Sequence, residues 1–238
     1  MRGRLLRALL KADLRKLGRD PVLLASALVP ILLAALLRLG LPVAEVALAG
    51  LEPPFDLGPH RATIAGGALA VSTMMAGWVV GFMLLEERAQ RMLPAIGVTP
   101  LTRRGFVLWR LALPTLIALL GAVVVLVFGR YGAPELGRGL AAAALLACSA
   151  PCFALALVAF ADNEVEGLAL AKFGGLAFML PLLGFYIEGP WAWAAGVLPP
   201  FWALRLYAGG PWWLLAPGVA VTGLWALWLL GRFRRRVE

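Results

Sequence analysis

The sequence predicts an all-α membrane protein: six transmembrane helices, an amphipathic interfacial helix before them, and short outer-face helices before the last span. Three observations carry this reading. Of 238 residues, 62% are hydrophobic and only 15% charged, where a soluble domain carries about 25%. Six segments are each apolar over the roughly 20 residues that a helix needs to cross a hydrocarbon core of about 30 Å. The basic residues stand in short runs beside those segments. That placement makes the +9 net charge a sign of membrane topology rather than of nucleic-acid binding.

The elements follow in order. In residues 1–19, Arg4, Arg7, Lys11 and Arg15 share one narrow helical face; Leu5, Leu6, Leu9, Leu10 and Leu17 gather opposite, with Asp13 the exception. This suits a cytoplasmic interfacial helix, its leucines in acyl chains and its arginines among anionic headgroups. A bare topology signal uses the same charges. Residues 20–238 then form one six-span domain. Span 1, about 21–38, opens on Asp20-Pro21, an N-cap followed by proline at the first helical position. Spans 2 to 6 are expected at about 63–85, 106–128, 139–161, 167–187 and 211–231. Pro30, Pro114, Pro151, Pro181 and Pro217 fall inside spans, where neighbouring helices tolerate such breaks.

Within span 2, Gly77 and Gly81 form a small-xxx-small pair, with Gly66 and Ala70 one stretch earlier. The pair predicts close helix packing, inside one subunit or across a dimer. Ser72, Thr73, Met74, Met75 and Trp78 put polar, soft and aromatic groups mid-span. They serve either as packing or as a translocation path for varied greasy molecules. Cys148 and Cys152 lie one turn apart and read as structural thiols. Residues 186–213 hold five tryptophans, two tyrosines and two charges. Gly and Pro break them too often for another span, so they are expected to form short outer-face helices, as a cap or as an aromatic anchor belt.

Arginine and lysine set the orientation. Sixteen of the 22 fall to one side: seven within residues 1–20, then Arg88, Arg91, Arg103, Arg104, Lys172, Arg232, Arg234, Arg235 and Arg236. Arg38, Arg61, Arg130, Arg138 and Arg205 fall to the other, and Arg110 lies just inside span 3. By the positive-inside rule the richer side, with both termini, is cytoplasmic. Ala47-Leu48-Ala49 before Gly50 resembles a signal-peptide cleavage site, but Arg38 interrupts the approach to it and the basic start is too long.

Several chemistries are excluded. No G-x-x-x-x-G-K-[ST] run occurs and the chain has three lysines, so it has no P-loop. H-E-x-x-H and G-x-S-x-G are absent too. One histidine and two cysteines give no metal-binding pattern, and no cofactor is expected. The span interiors are almost free of ionisable groups, unlike those of proton-coupled carriers. Energy must come from another molecule.

The cytoplasmic stretch between spans 2 and 3 carries the most specific local pattern. Leu85-Glu86-Glu87-Arg88 is followed by Arg91 and then Val98-Thr99-Pro100-Leu101. With Asn163-Glu164-Val165-Glu166-Gly167-Leu168-Ala169 at the start of span 5 and Leu198-Pro199-Pro200-Phe201-Trp202-Ala203 before span 6, the chain resembles the permease subunits of type-2 ABC exporters. It is most similar to bacterial permeases of the fluoroquinolone and drug-export kind. The resemblance runs over nearly the whole chain. It departs at Pro94, which interrupts the first helix of the loop, and at the short outer loop 39–62, which leaves no room for a large outer domain.

The resemblance implies a division of labour. Two permeases, alike or different, form the pore in the bacterial cytoplasmic membrane, and two cytoplasmic ATPase subunits drive it. The chain itself is then not an enzyme. Glu86, Glu87, Arg88, Arg91, Val98, Thr99, Pro100 and Leu101 form the ATPase-coupling loop, offering both charge signs for a polar, reversible interface. The cargo is a small amphipathic molecule such as a drug. The alternatives are a defined metabolite or haem-type cargo, or a membrane scaffold that transports nothing.

The topology is directly testable. Cysteines at Arg61, Arg138 and Arg205 should react with a membrane-impermeant thiol label added from outside, and cysteines at Arg91 or Arg235 should not. Outside labelling at position 91 would reverse the orientation.

Overall fold

The computed structural model describes residues 15, 18–19, 21–90, 102–132, 135–187 and 189–237. In chain order the described helices are α1 (Pro21–Ala35), α2 (Leu41–Ala49), α3 (Arg61–Ala89), α4 (Thr102–Val124), α5 (Leu136–Phe160), α6 (Glu164–Leu183), α7 (Pro199–Tyr207) and α8 (Leu215–Val237). Six helical stretches are long and apolar enough to span: Leu24–Ala49, Gly58–Ala89, Trp109–Gly129, Leu136–Phe160, Glu164–Leu183 and Trp212–Arg235. The fold is therefore the expected six-span α-bundle. The interfacial helix expected over 1–19 lies almost wholly outside the described residues.

The spans are not equivalent. The most apolar stretch of α3 is 83% buried and that of α5 72%, against 11% for the first span and 17% for α6. A helix that is apolar all round has to be buried, and α3 and α5 form the centre with the others around them. Their backbones come close because Gly77 and Gly81 lack side chains. A Cβ on Gly77 would lie 2.5 Å from the Ala150 carbonyl oxygen and 2.6 Å from Phe153 Cβ; one on Gly81 would lie 3.0 Å from Ala154 Cα. This pair thus packs α3 on α5 within one subunit.

Span 1 runs further than the expected end at 38. A π-helical turn, Leu36–Gly40, leads from α1 into α2, which reaches Ala49. Pro42 near the start of α2 lacks an N–H, and a π turn in advance of it accommodates the shifted bonding. Residues 41–49 stay apolar except Glu45, whose charge is matched. Arg61 donates to it through Nε (2.7 Å) and Nη2 (2.9 Å), and the Tyr131 hydroxyl donates to it at 2.7 Å. Burial first, then the bond to Glu45, pushes the Tyr131 phenol up. These three side chains tie the outer ends of spans 1, 2 and 3. Gly132 beside them has φ +56°, with Arg61 backbone 2.6 Å from where a Cβ would sit.

The outer segment does fold into short helices: the 3-10 turn Pro190–Val197, α7, and the 3-10 turn Trp212–Leu214. It divides into two roles. Trp191, Trp212 and Trp213 are exposed, as an anchor belt would have them. By contrast, Phe201, Leu204, Leu206 and Tyr207 of α7 are buried, packed among α3, α5, α6 and α8. Burial raises the Tyr207 phenol to about 12. Arg205 is folded in as well. It donates to the Gly184 carbonyl at 2.8 Å and lies 5.3–5.6 Å from the rings of Phe185, Trp193 and Phe201, so its cation is held by a carbonyl and π faces.

The contact at Gly77 yields a stability test. Gly77→Ala should cost about 1–3 kcal/mol, because backbone and Cβ atoms cannot swing aside as a flexible side-chain tip can. Gly223→Ala, with nothing within 4 Å, should be neutral or stabilising by up to about 1 kcal/mol. Melting temperatures of the purified proteins in detergent compare them; equal values would rule out the close approach.

Candidate coupling and translocation site

The 29 residues of α3 rise about 43 Å, more than the hydrocarbon core of about 30 Å. Its last turn, which carries Glu86, Glu87 and Arg88, therefore reaches the cytoplasmic headgroup level. The three residues point different ways, since neighbours on a helix diverge by about 100°.

Glu86 is half-exposed. Its Oε1 accepts a bond from Gln90 Nε2 at 3.0 Å. Glu87 turns inward. It accepts from Nη2 of Arg110, which stands about two turns into α4, and the side chains are only 10% and 5% exposed. Arg88 turns toward the end of α5, where its Nη1 donates to the carbonyls of Val158 (3.0 Å) and Ala161 (3.3 Å) and its Nη2 to Asp162 Oδ1 (3.0 Å). A cation at a helix C-terminus suits both the orphan carbonyls and the dipole. Arg91, Val98, Thr99, Pro100 and Leu101 lie outside the described residues.

The turn from α5 to α6 is fixed by a capping box. Asn163 Oδ1 accepts from the Glu166 amide at 3.0 Å, Glu166 Oε1 accepts from Asn163 Nδ2 at 2.9 Å, and Glu166 Oε2 accepts from the Asp162 amide at 2.9 Å. Asp162 thus belongs to two structures at once, the Arg88 pair and the cap of span 5.

Two cavities flank α3. One of about 660 Å³ lies toward α6, a volume suited to a drug-sized ligand. Met74, Met75, Trp78 and Phe82 of α3 and Met179 of α6 supply its apolar wall, and Glu86, Glu164 and Lys172 its polar groups. The other, about 420 Å³, lies toward α1 and α4 and includes Ser72, Pro30 and Trp109 in its lining. Ser26, Val79 and Met83 border both. Thr73 is fully buried. Ser72 Oγ, Thr73 Oγ1 and Trp78 Nε1 are buried without a hydrogen-bond partner among the described residues. Elsewhere the buried hydroxyls of Ser149 and Thr222 bond back to the carbonyls of Leu146 and Gly218.

Sequence reasoning placed Arg110 only at the edge of a span and gave it no role. The available signal was an arginine inside an apolar stretch, which demands a partner. Nothing in a linear reading brings Glu164, Lys172 and Met179 to the wall opposite Met74 and Trp78; the packing of α6 on α3 does. Among the described residues, no group of three or more His, Cys, Asp or Glu side chains could hold a metal ion.

The geometry of the α3 end yields a contrast between neighbours. Glu87→Gln should destabilise the protein by about 3–5 kcal/mol, because it breaks a buried ion pair by neutralising one member. Glu86→Gln should change stability by under about 1 kcal/mol, as expected of a half-exposed charge. Melting temperature and membrane level of the two variants decide it, and equal behaviour would mean that Glu87 is not in the interior.

Compared with known proteins, the chain matches, over residues 13–230, the family described as fluoroquinolones export permease protein Rv2686c-like. Two curated proteins of Mycobacterium tuberculosis are similar along their length: the fluoroquinolones export permease proteins Rv2686c, of strain H37Rv, and MT2760, of strain CDC 1551. Each is 30% identical over 98% of this chain and 94% of its own. No solved structure matches the chain.

Proposed function

The chain belongs to the Rv2686c-like family of fluoroquinolones export permease proteins, and from that premise we propose that it carries small amphipathic drugs, fluoroquinolones among them, out of the cell along the α3–α6 cavity. It is a multi-pass permease of the ABC-exporter type in the bacterial cytoplasmic membrane, a transport subunit and not an enzyme. Two copies of a separate cytoplasmic ATPase dock at the first cytoplasmic loop and supply the energy. A second permease, identical or different, completes the pore.

The observation that carries the cargo reading is the composition of the larger cavity. Four methionines, Met74, Met75, Met83 and Met179, line it with Trp78 and Phe82. Thioethers are flexible and polarizable and fit apolar bodies of varied shape. Glu86, Glu164 and Lys172 supply both charge signs, as a zwitterionic or cationic amphiphile requires. In this reading Trp78 Nε1 and Ser72 Oγ, which have no hydrogen-bond partner among the described residues, become donors to a passing ligand once the helices part. Glu86, which borders the larger cavity, is the cargo contact of the α3 end, while Glu87 and Arg88 face α4 and α5.

The test is vesicle transport. Membranes from which this chain is purified should yield a cytoplasmic ATPase in the same complex, and inside-out vesicles should take up a fluorescent fluoroquinolone only with ATP. Gly175→Leu should lower that uptake about tenfold with normal membrane levels, because Gly175 lines the cavity and its new Cβ would stand at ordinary contact, 3.5 Å, from Met74. Purification without any ATPase overturns the energy source. An ATPase complex with no drug uptake overturns the cargo.

A further inference from the structure

Of the five arginines on the outer side, three have partners. Arg61 pairs with Glu45, Arg138 donates to the Gly209 carbonyl and Arg205 to that of Gly184. Arg38 and Arg130 are exposed and make no hydrogen bond, ion pair or ring contact among the described residues. They also stand close together. Arg38 lies in the π turn Leu36–Gly40 of span 1, and Arg130 directly follows the π turn Val125–Gly129 that ends span 3. The two turns pack on each other: a Cβ on Gly129 would lie 3.4 Å from the Cβ of Leu37. Successive Cα atoms are about 3.8 Å apart, so those of Arg38 and Arg130 are separated by at most about 14 Å. That is within the joint reach of two arginine side chains.

We propose that Arg38 and Arg130 form a site for the phosphate of an anionic phospholipid in the outer leaflet.

The depth fits. Gly129 is the last residue of span 3, so the pair stands where hydrocarbon gives way to headgroups. On the same two helices, deeper in the membrane, Leu32, Leu36, Val127 and Phe128 are exposed. They give acyl chains an apolar surface, which a soluble anion would not use.

The charge fits as well. An arginine in or beside an apolar span needs a counter-charge, and the described chain supplies none to these two. Two neighbouring guanidiniums repel each other. A phosphate between them turns that repulsion into attraction, through the charge-assisted, bidentate hydrogen bonds that a planar guanidinium makes. A zwitterionic headgroup brings its own cation into the same space, so the pair selects lipids of net negative charge. The backbone points the same way. Both arginines sit at departures from regular helix, and π turns recur at functional sites. Arg130 has φ +49°, a left-handed conformation that residues other than glycine rarely adopt. Glycine would make this turn more readily, whereas arginine there keeps a cation beside Arg38.

The test uses the full-length chain purified in detergent and loaded with phosphatidylglycerol or with phosphatidylcholine of the same acyl chains. Native mass spectrometry counts the lipids that stay bound. The basic residues of the cytoplasmic side hold phosphatidylglycerol too, so wild type is compared with the double variant Arg38→Gln with Arg130→Gly. The variant should retain one phosphatidylglycerol fewer than wild type and the same number of phosphatidylcholines. In phosphatidylcholine it should melt at or above the wild-type temperature, since glycine suits the left-handed position. Equal phosphatidylglycerol counts overturn the proposal, as they would if a second permease covered this face. Loss of phosphatidylcholine to the same extent overturns it, because the site would then recognise hydrocarbon alone. A rise in wild-type melting temperature with inorganic phosphate equal to that with phosphatidylglycerol, and absent from the variant, makes it a site for a free anion instead. A double variant that melts well below wild type in phosphatidylcholine also overturns it, since the arginines would then serve the fold.

Discussion

The close approach of α3 to α5 is the contact on which the other helices depend. Two backbones meet at Gly77 and Gly81 with no side chain between them, and the Ala150 carbonyl and Phe153 occupy the space a Cβ would take. In lipid there is no hydrophobic force between helices, and small residues that allow dense packing supply the attraction instead. Once α3 and α5 are joined, α4 and α8 close over one half. Val80, Leu84, Leu113, Cys152, Leu155, Leu229 and Phe233 form one buried cluster there. The other half closes around Leu69, Leu146, Leu204 and Tyr207, where α7 inserts. Span 1 and α6 remain at the periphery, with Leu32, Val46, Phe173 and Leu176 exposed.

Charged side chains cluster at the outer and cytoplasmic ends of the bundle, each end organised differently, while Arg38 and Lys172 stand within spans. At the outer side Glu45, Arg61 and Tyr131 fasten three spans, with Arg61 exposed and Tyr131 buried. At the cytoplasmic side Glu87 and Arg110 are withdrawn into the bundle, while Arg88, Asp162 and Glu166 link a helix C-terminus to the next helix's cap. Glu86 and Glu87 look interchangeable in sequence. One residue of helix separates a half-exposed carboxylate beside a cavity from a buried one that holds two spans together.

The outer segment shows the same division. Its tryptophans include exposed anchors, but Arg205 and the apolar face of α7 are drawn between the spans. Arg205 bridges the Gly184 carbonyl at the end of α6 and three aromatic rings. It thereby ties span 5 to the cap at the outer side, as the Asp162 turn ties span 5 to its neighbours at the cytoplasmic side. The larger cavity lies along the helix that is held at both ends and poorly covered between them.

The sequence by itself determined the class and the count of helices. Runs of about twenty apolar residues have no stable alternative to helix in a bilayer, and the split of arginines gives the sidedness. It also determined the family, because the L-E-E-R, V-T-P-L and L-P-P-F-W-A stretches keep their order along the chain. The small-xxx-small pair was legible as a packing surface, but its partner was not, since glycine spacing marks a face without saying what comes to it. Tertiary structure alone decided that α5 fills that place, that span 1 continues through a π turn to Ala49, and that Arg110 is the counter-charge of Glu87, 23 positions away. It alone decided that Met179 and Lys172 face Met74 across a cavity. Periodicity and composition report what each helix is on its own, whereas ion pairs, close approaches and cavities are relations between helices, set by how six apolar cylinders fill space around the buried pair.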